Sequence, residues 1–237
     1  ARAVPPLRLE IILDCLRHAK TADYSARQEL FKKAAMATTS LCRKLTRADA
    51  ERARPVFFAV LEMQLSGGCV PQCCDASYVR RTQIGAKYQV LATWRRIDPQ
   101  IVRDISPSLM HSLVVPTSNL LALVALELLI RSPEACNTHL DTLLQALEHP
   151  RWQVVECAAR GLGKIGPSAK SQTAKPLLAT LRHAQWQVRA AAVRALGRVL
   201  RDKHERIERL AQRDVHSGVR YAARKVLGLS TRDLAAR

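Results

Sequence analysis

Apolar residues recur three and four positions apart in run after run of this chain, with no stretch of strict alternation, so the pattern predicts helices throughout and no strands. The clearest runs are "WQVVECAARGLGKIG" from Trp152 and "WQVRAAAVRALGRVL" from Trp186. They match at Trp152/Trp186, Val154/Val188, Ala158/Ala192, Arg160/Arg194, Leu162/Leu196 and Gly163/Gly197, every pair 34 residues apart. A third copy, "VRYAARKVLG" from Val219, aligns Ala223, Lys225, Leu227 and Gly228 with Ala192, Arg194, Leu196 and Gly197 at an offset of 31. Further upstream the spacing persists while the residue types blur: Leu120 corresponds to Val154 and Val188, Val124 to Ala158, and Leu128 to Leu162.

An earlier helix in each unit shares the period, through Leu109, Leu143 and Leu177 and through Leu113, Leu147 and Leu181. Pro99, Pro133 and Pro167 follow Asp98, Ser132 and Gly166 at the same spacing, a cap-then-proline signal for a helix start. Trp94 falls on the Leu128 position, which extends the array back to about Asp75 and makes four to five units of two helices. One such unit cannot bury its apolar face alone, so the expected fold is all-α, a right-handed solenoid of stacked helix pairs. Glycine within a helix costs roughly 1 kcal/mol relative to alanine, so Gly163, Gly197 and Gly228 are expected where neighbouring helices approach closely.

Residues 1–74 also read as helical. Leu9, Ile12, Leu13 and Leu16 share one face, and Ser25 is a candidate cap for a helix burying Leu30, Phe31, Ala34 and Leu41. Pro55 is expected to interrupt or kink the next helix, and Gly67-Gly68 to end it. The organisation expected is a divergent helical segment or cap over 1–74 and a repeat array over 75–237.

The shared run Val-Arg-x-Ala-Ala followed by Leu-Gly, at Val188 and again at Val219, resembles the HEAT repeat, in particular the short HEAT-like class related to bilin lyases. The aromatic and glycine signature of tetratricopeptide repeats, which share the 34-residue period, is not met in any unit. In HEAT proteins the second helix of each pair lines the concave surface. The resemblance further implies that Arg189 and Arg220 sit at the seams between repeats, paired with an acidic residue of a neighbouring unit.

Charge narrows the partners. The net charge is +18, and it is uneven: residues 1–150 hold 19 basic and 14 acidic side chains, residues 151–237 hold 19 and 6. Such an excess calls for an anionic counter-surface. Arg160, Arg194 and Lys225 occupy one equivalent position in successive second helices, Lys164 and Arg198 another one turn later, and Arg194, Arg198 and Arg201 share a face. With the resemblance, this ladder implies a basic groove; the plainer alternative is an ordinary solvated face.

Trp152 and Trp186 open successive second helices, where they could stack on nucleic-acid bases or wedge between repeats; the burial habits of tryptophan favour packing. Seven cysteines form an odd set, and Cys15, Cys42, Cys136 and Cys157 stand singly in helical runs, which suits an intracellular, reducing compartment rather than a disulfide framework. Cytoplasm, nucleus and organelle matrix are not resolved; no signal peptide is visible, and because the chain opens at Ala1 without methionine its start does not tell whether a leader was removed. Cys69, Cys73 and Cys74 cluster, but they lack both the usual C-x2-C spacing and a local fourth ligand, so free thiols are expected rather than a zinc or iron–sulfur site. His149 and His183 are equivalent and suit the C-terminus of the first helix.

No nucleophile elbow, phosphate loop or paired histidine motif is present, and no apolar run is long enough to span a bilayer. The reading is a non-enzymatic scaffold, without cofactor or small-molecule substrate, whose basic C-terminal surface binds RNA within a ribonucleoprotein assembly, ribosomal or organellar, alongside other proteins. The alternatives are an adaptor for an acidic protein partner and, from the resemblance alone, a HEAT-like DNA glycosylase.

Overall fold

A computed structural model describes residues 6–63, 74–114, 119–200 and 205–229. Every regular element among them is helical, as the 3.6-residue periodicity demands. The chain forms two compact units, residues 1–101 and 102–237, so the division falls inside the 75–237 stretch.

The first unit contains α1 (Pro6–Thr21), α2 (Tyr24–Cys42), α3 (Ala50–Glu62) and α4 (Cys74–Ile97), with α2 packed against both α1 and α4. Asp23, not Ser25, caps α2: its carboxylate accepts the Ala26 N–H at 2.8 Å, and Ser25 lies inside the first turn. Pro55 does not break α3, which runs through it from a 3-10 turn at Arg47–Asp49 whose Thr46 and Asp49 form a capping box. Trp94 is fully buried and meets Phe57 and Phe58 edge-on, with centroids 5.0 and 5.2 Å away, so it is a core residue as the register places it. Lys87, also buried, donates to the Leu61 carbonyl at the end of α3; burial pulls its pKa down to about 8.

The second unit is a stack of helix pairs. First helices are α5 (Pro107–Val114), α8 (Leu140–Ala146), α10 (Lys170–Thr180) and α12 (Glu205–Arg213); second helices are α6 (Asn119–Leu129), α9 (Trp152–Ile165), α11 (Trp186–Leu200) and α13 (Ser217–Leu227). A short proline-started turn precedes three of the first helices: Pro99–Asp104, then α7 (Pro133–Thr138), then Gly166–Ala169. Ser132 caps α7 by accepting the Ala135 N–H, and Asp98 accepts the Gln100 N–H. Gly166 plays another part: at φ 74° and ψ −150° it ends α9 in a backbone region only glycine enters freely.

Second helices pack tightly in the order α6, α9, α11, α13, whereas among the first helices α5 meets α8 but α8 and α10, and α10 and α12, touch at most marginally. Small residues cause the difference. A Cβ on Gly163 would lie 2.8 Å from the Ala195 Cα, so α9 and α11 meet almost backbone to backbone, and one on Gly197 would lie 2.5 Å from a Val226 methyl, so the Val226 side chain of α13 fills the space that a side chain there would need. Gly228 departs from this expectation: a Cβ there would meet nothing within 4 Å, and its φ of 70° makes it the left-handed cap of α13, with the Leu229 N–H bonded to the Arg224 carbonyl. Leu120 also departs from the register, exposed where Val154 and Val188 are buried, because the adjacent Leu121 takes the inward position.

Candidate polyanion-binding face

The face of α9, α11 and α13 opposite their buried stripe carries the repeated cations. Arg160 and Lys164 on α9, Arg194 and Arg198 on α11 and Lys225 on α13 are all exposed. Their spacing explains this: each lies on the side of the helix facing away from Val154, Ala158 and Leu162 or their equivalents, all fully buried. Because α9, α11 and α13 stack directly, equivalent residues fall in rows across the repeats. Among the described residues, no ion pair joins any of these five cations to a carboxylate. Helices α11 and α13 contain no acidic residue at all, while Glu156 and Glu127 lie near Arg160, where both act on the Cys157 thiol, so uncompensated charge concentrates on α11 and α13. Arg201 lies outside the described residues, as do Cys69 and Cys73; Cys74 begins α4.

The other arginines of these helices are structural. Arg189 donates from Nε and Nη2 to both carboxylate oxygens of Asp214, at 2.9 and 2.8 Å, and from Nη1 to the carbonyls of His183 and Ala184. Arg220 repeats only the carbonyl contacts one repeat on, donating to the carbonyls of Asp214 and Val215, and among the described residues no carboxylate pairs with it, contrary to the expectation for that seam. The seam pairing that the family resemblance implies for Arg189 is thus present. Burial would raise the Asp214 pKa, but hydrogen bonds from Arg189 and from the His216 backbone N–H more than offset it and hold the carboxyl below its usual range. Arg224 donates to the Ala211 carbonyl, which leaves Lys225 as the outward cation of α13.

Asp214 shares a repeat position with His149 and His183, and all three perform the same task. Nδ1 of His149 accepts the Arg151 N–H and Nδ1 of His183 the Gln185 N–H, both at 3.0 Å, as the Asp214 carboxylate accepts the His216 N–H at 2.8 Å. These side chains therefore order the entry to the second helix rather than neutralise the end of the first, each by accepting the backbone N–H two residues on. Sequence reasoning missed the equivalence because the third copy exchanges imidazole for carboxylate.

Trp186 is half-buried and stacks on His216, with ring centroids 4.0 Å apart and planes 6° from parallel, while its edge occupies the space beside Gly218. That face is taken by packing, not held open for a base. Trp152 is likewise half-buried at the start of α9. Cys42, Cys136 and Cys157 are free, buried thiols whose pKa values burial pushes up to about 11, 12 and 11. Among the described residues no three potential ligands converge as a metal site, and no helix is long and apolar enough to cross a membrane.

These features agree with what the chain is similar to. A family model described as HEAT repeats matches residues 140–228. No curated protein matches the sequence. Among solved structures, an engineered protein from the Northeast Structural Genomics Consortium is similar over 91% of this chain and 95% of its own, at 16% identity and a TM-score of 0.57. A computationally designed armadillo repeat protein for modular peptide recognition matches over 91% and 98%, at 14% identity and a TM-score of 0.57. A designed armadillo repeat protein in complex with the peptide (KR)4 matches over 91% and 97%, at 12% identity and a TM-score of 0.56. Residues 140–228 are thus similar to HEAT repeats, and the fold is that of the armadillo and HEAT-type repeat solenoids.

Proposed function

We propose that this protein is a non-enzymatic HEAT-type scaffold whose second-helix face binds the phosphate backbone of RNA within a ribonucleoprotein assembly. The observation that carries the reading is the contrast within α11: Arg189 is consumed by Asp214, whereas Arg194 and Arg198 stand exposed on a helix with no acidic residue. Charge repeated at a fixed spacing with no internal partner suits a polyanion of regular charge spacing, and such binding is dominated by phosphate neutralisation rather than base reading. An acidic peptide on the same face is the second reading. It is favoured by the fold shared with a designed armadillo protein that is in complex with (KR)4, a pairing this chain would make with the charges reversed.

The test is to recover the native protein at low salt with and without nuclease, and to identify what accompanies it. Bound RNA whose digestion releases the accompanying proteins sustains the RNA reading. An acidic protein that stays bound after complete digestion, with no RNA enriched, replaces it with the peptide reading. Anion binding of either kind is abandoned if a folded Arg160→Gln/Arg194→Gln/Arg198→Gln protein binds every such partner as the parent does.

A further inference from the structure

The opposite layer of the repeats is not a closed surface. Opposite the close approach at Gly163 and Gly197, α8 and α10, and α10 and α12, touch at most marginally, and two successive grooves open between them. The groove between α8 and α10 has a volume of ≈ 530 Å³ and an apolar lining, with Leu144, Leu147 and Pro176 half-exposed above the buried Val155, and Ala179 at its edge. The groove between α10 and α12, ≈ 480 Å³, is cationic. Arg182, Arg209 and Arg213 line it with the seam pair Arg189–Asp214, whose charges cancel. Glu205 offsets Arg209, while among the described residues no ion pair occupies Arg182 or Arg213. Arg182 and His183 line both grooves, so an apolar trough runs directly into a basic one.

We propose that this first-helix face is a second docking surface, which takes an acidic peptide segment of a partner protein with an apolar anchor beside its carboxylates. The apolar groove falls in the size range of ligand sites and exposes half-buried leucines without a covering element among the described residues, so an aliphatic side chain entering it removes apolar surface on both partners from water. The adjoining guanidiniums fit carboxylates bidentately, which fixes the direction in which the peptide lies. Glu148 is the one carboxylate lining the apolar groove; it would discourage an acidic residue at that end and so adds to the polarity. The proposal is independent of the RNA reading, since none of these residues belongs to the second-helix ladder.

The experiment is fluorescence anisotropy of the full chain with a labelled peptide in which two leucines are followed by a run of glutamates, alongside a control with lysine for every glutamate. The acidic peptide is expected to bind and the lysine peptide not to. Two variants probe the two grooves: Arg182→Glu/Arg213→Glu reverses the basic one, and Ala179→Trp fills the apolar one from an exposed position that leaves the core untouched. Each is expected to weaken binding at least about tenfold, as loss of an anchor residue does, with an unchanged far-ultraviolet circular dichroism spectrum. Should the double variant not fold, Ala179→Trp decides alone. The proposal is overturned if the parent protein does not bind the acidic peptide, if it binds the lysine peptide as well, or if the folded groove variants bind like the parent. It is equally overturned if Arg160→Gln/Arg194→Gln/Arg198→Gln abolishes peptide binding, which would place the peptide on the second-helix face.

Discussion

Gly163 and Gly228 occupy the same repeat position and do opposite jobs. In an ordinary exposed helix, replacing glycine by alanine stabilises by roughly 1 kcal/mol. Gly163→Ala should instead destabilise by about 1–3 kcal/mol, since the new methyl meets the Ala195 backbone, which cannot swing aside as a side chain could. Gly228→Ala should also destabilise, though it meets no neighbour, because its φ of 70° suits alanine poorly. Urea titration measures both; a stabilised Gly163→Ala would mean that α9 and α11 are further apart than described. His139 supplies a second prediction at this scale. It is 1% exposed, and burial holds its pKa below the ordinary value, with the Val102 backbone pulling the other way. A histidine neutral in the folded protein but protonated when unfolded contributes stability that is present above the unfolded pKa of about 6.5 and is lost as pH falls toward the folded pKa. Thermal melts between neutral and mildly acidic pH should therefore fall more steeply for the parent than for His139→Phe, with His149, whose pKa burial also lowers, accounting for part of the remaining slope.

At the scale of elements, one buried ion pair ties α11 to the turn between α12 and α13. The side chains of Arg189 and Asp214 are 15% and 4% exposed, and the carboxylate also holds the His216 N–H. Removing one partner of so buried a pair costs about 3 kcal/mol or more, because it strands the other charge. Asp214→Ala should show that loss by denaturant titration, while Glu205→Ala, which breaks the exposed pair with Arg209, should change stability by about 0.5 kcal/mol or less. The proline-led restarts at Pro99 and Pro133 were readable in the chain because a cap and a missing N–H are local chemistry. Ser25 against Asp23 was not readable in the same way: both are competent caps two residues apart, and only the path of the chain between α1 and α2 decides which carbonyl opens the helix.

For the whole molecule, the consequence of the ladder is salt dependence. If phosphates are neutralised by the second-helix face, affinity for a labelled single-stranded oligoribonucleotide should fall linearly in log–log form as salt rises. Arg160→Gln/Arg194→Gln/Arg198→Gln should then flatten that slope by about 2, at about 0.7 per lost contact. An unchanged slope with a weaker affinity would assign the loss to something other than phosphate contact. By itself, the sequence determined the helical class, the 34-residue period, the pairing of helices and the positions that face outward, because these follow from periodicity, capping and the cost of a glycine in a helix, all of which act over neighbouring residues. Tertiary structure alone decided which arginines are consumed. Arg189 and Arg194 are five residues apart in one helix, yet one meets a carboxylate 25 residues away while the other faces outward. It also decided where the grooves open, between α8 and α10 and between α10 and α12, since the separation of helices about 30 residues apart in the chain is a distance no local pattern encodes.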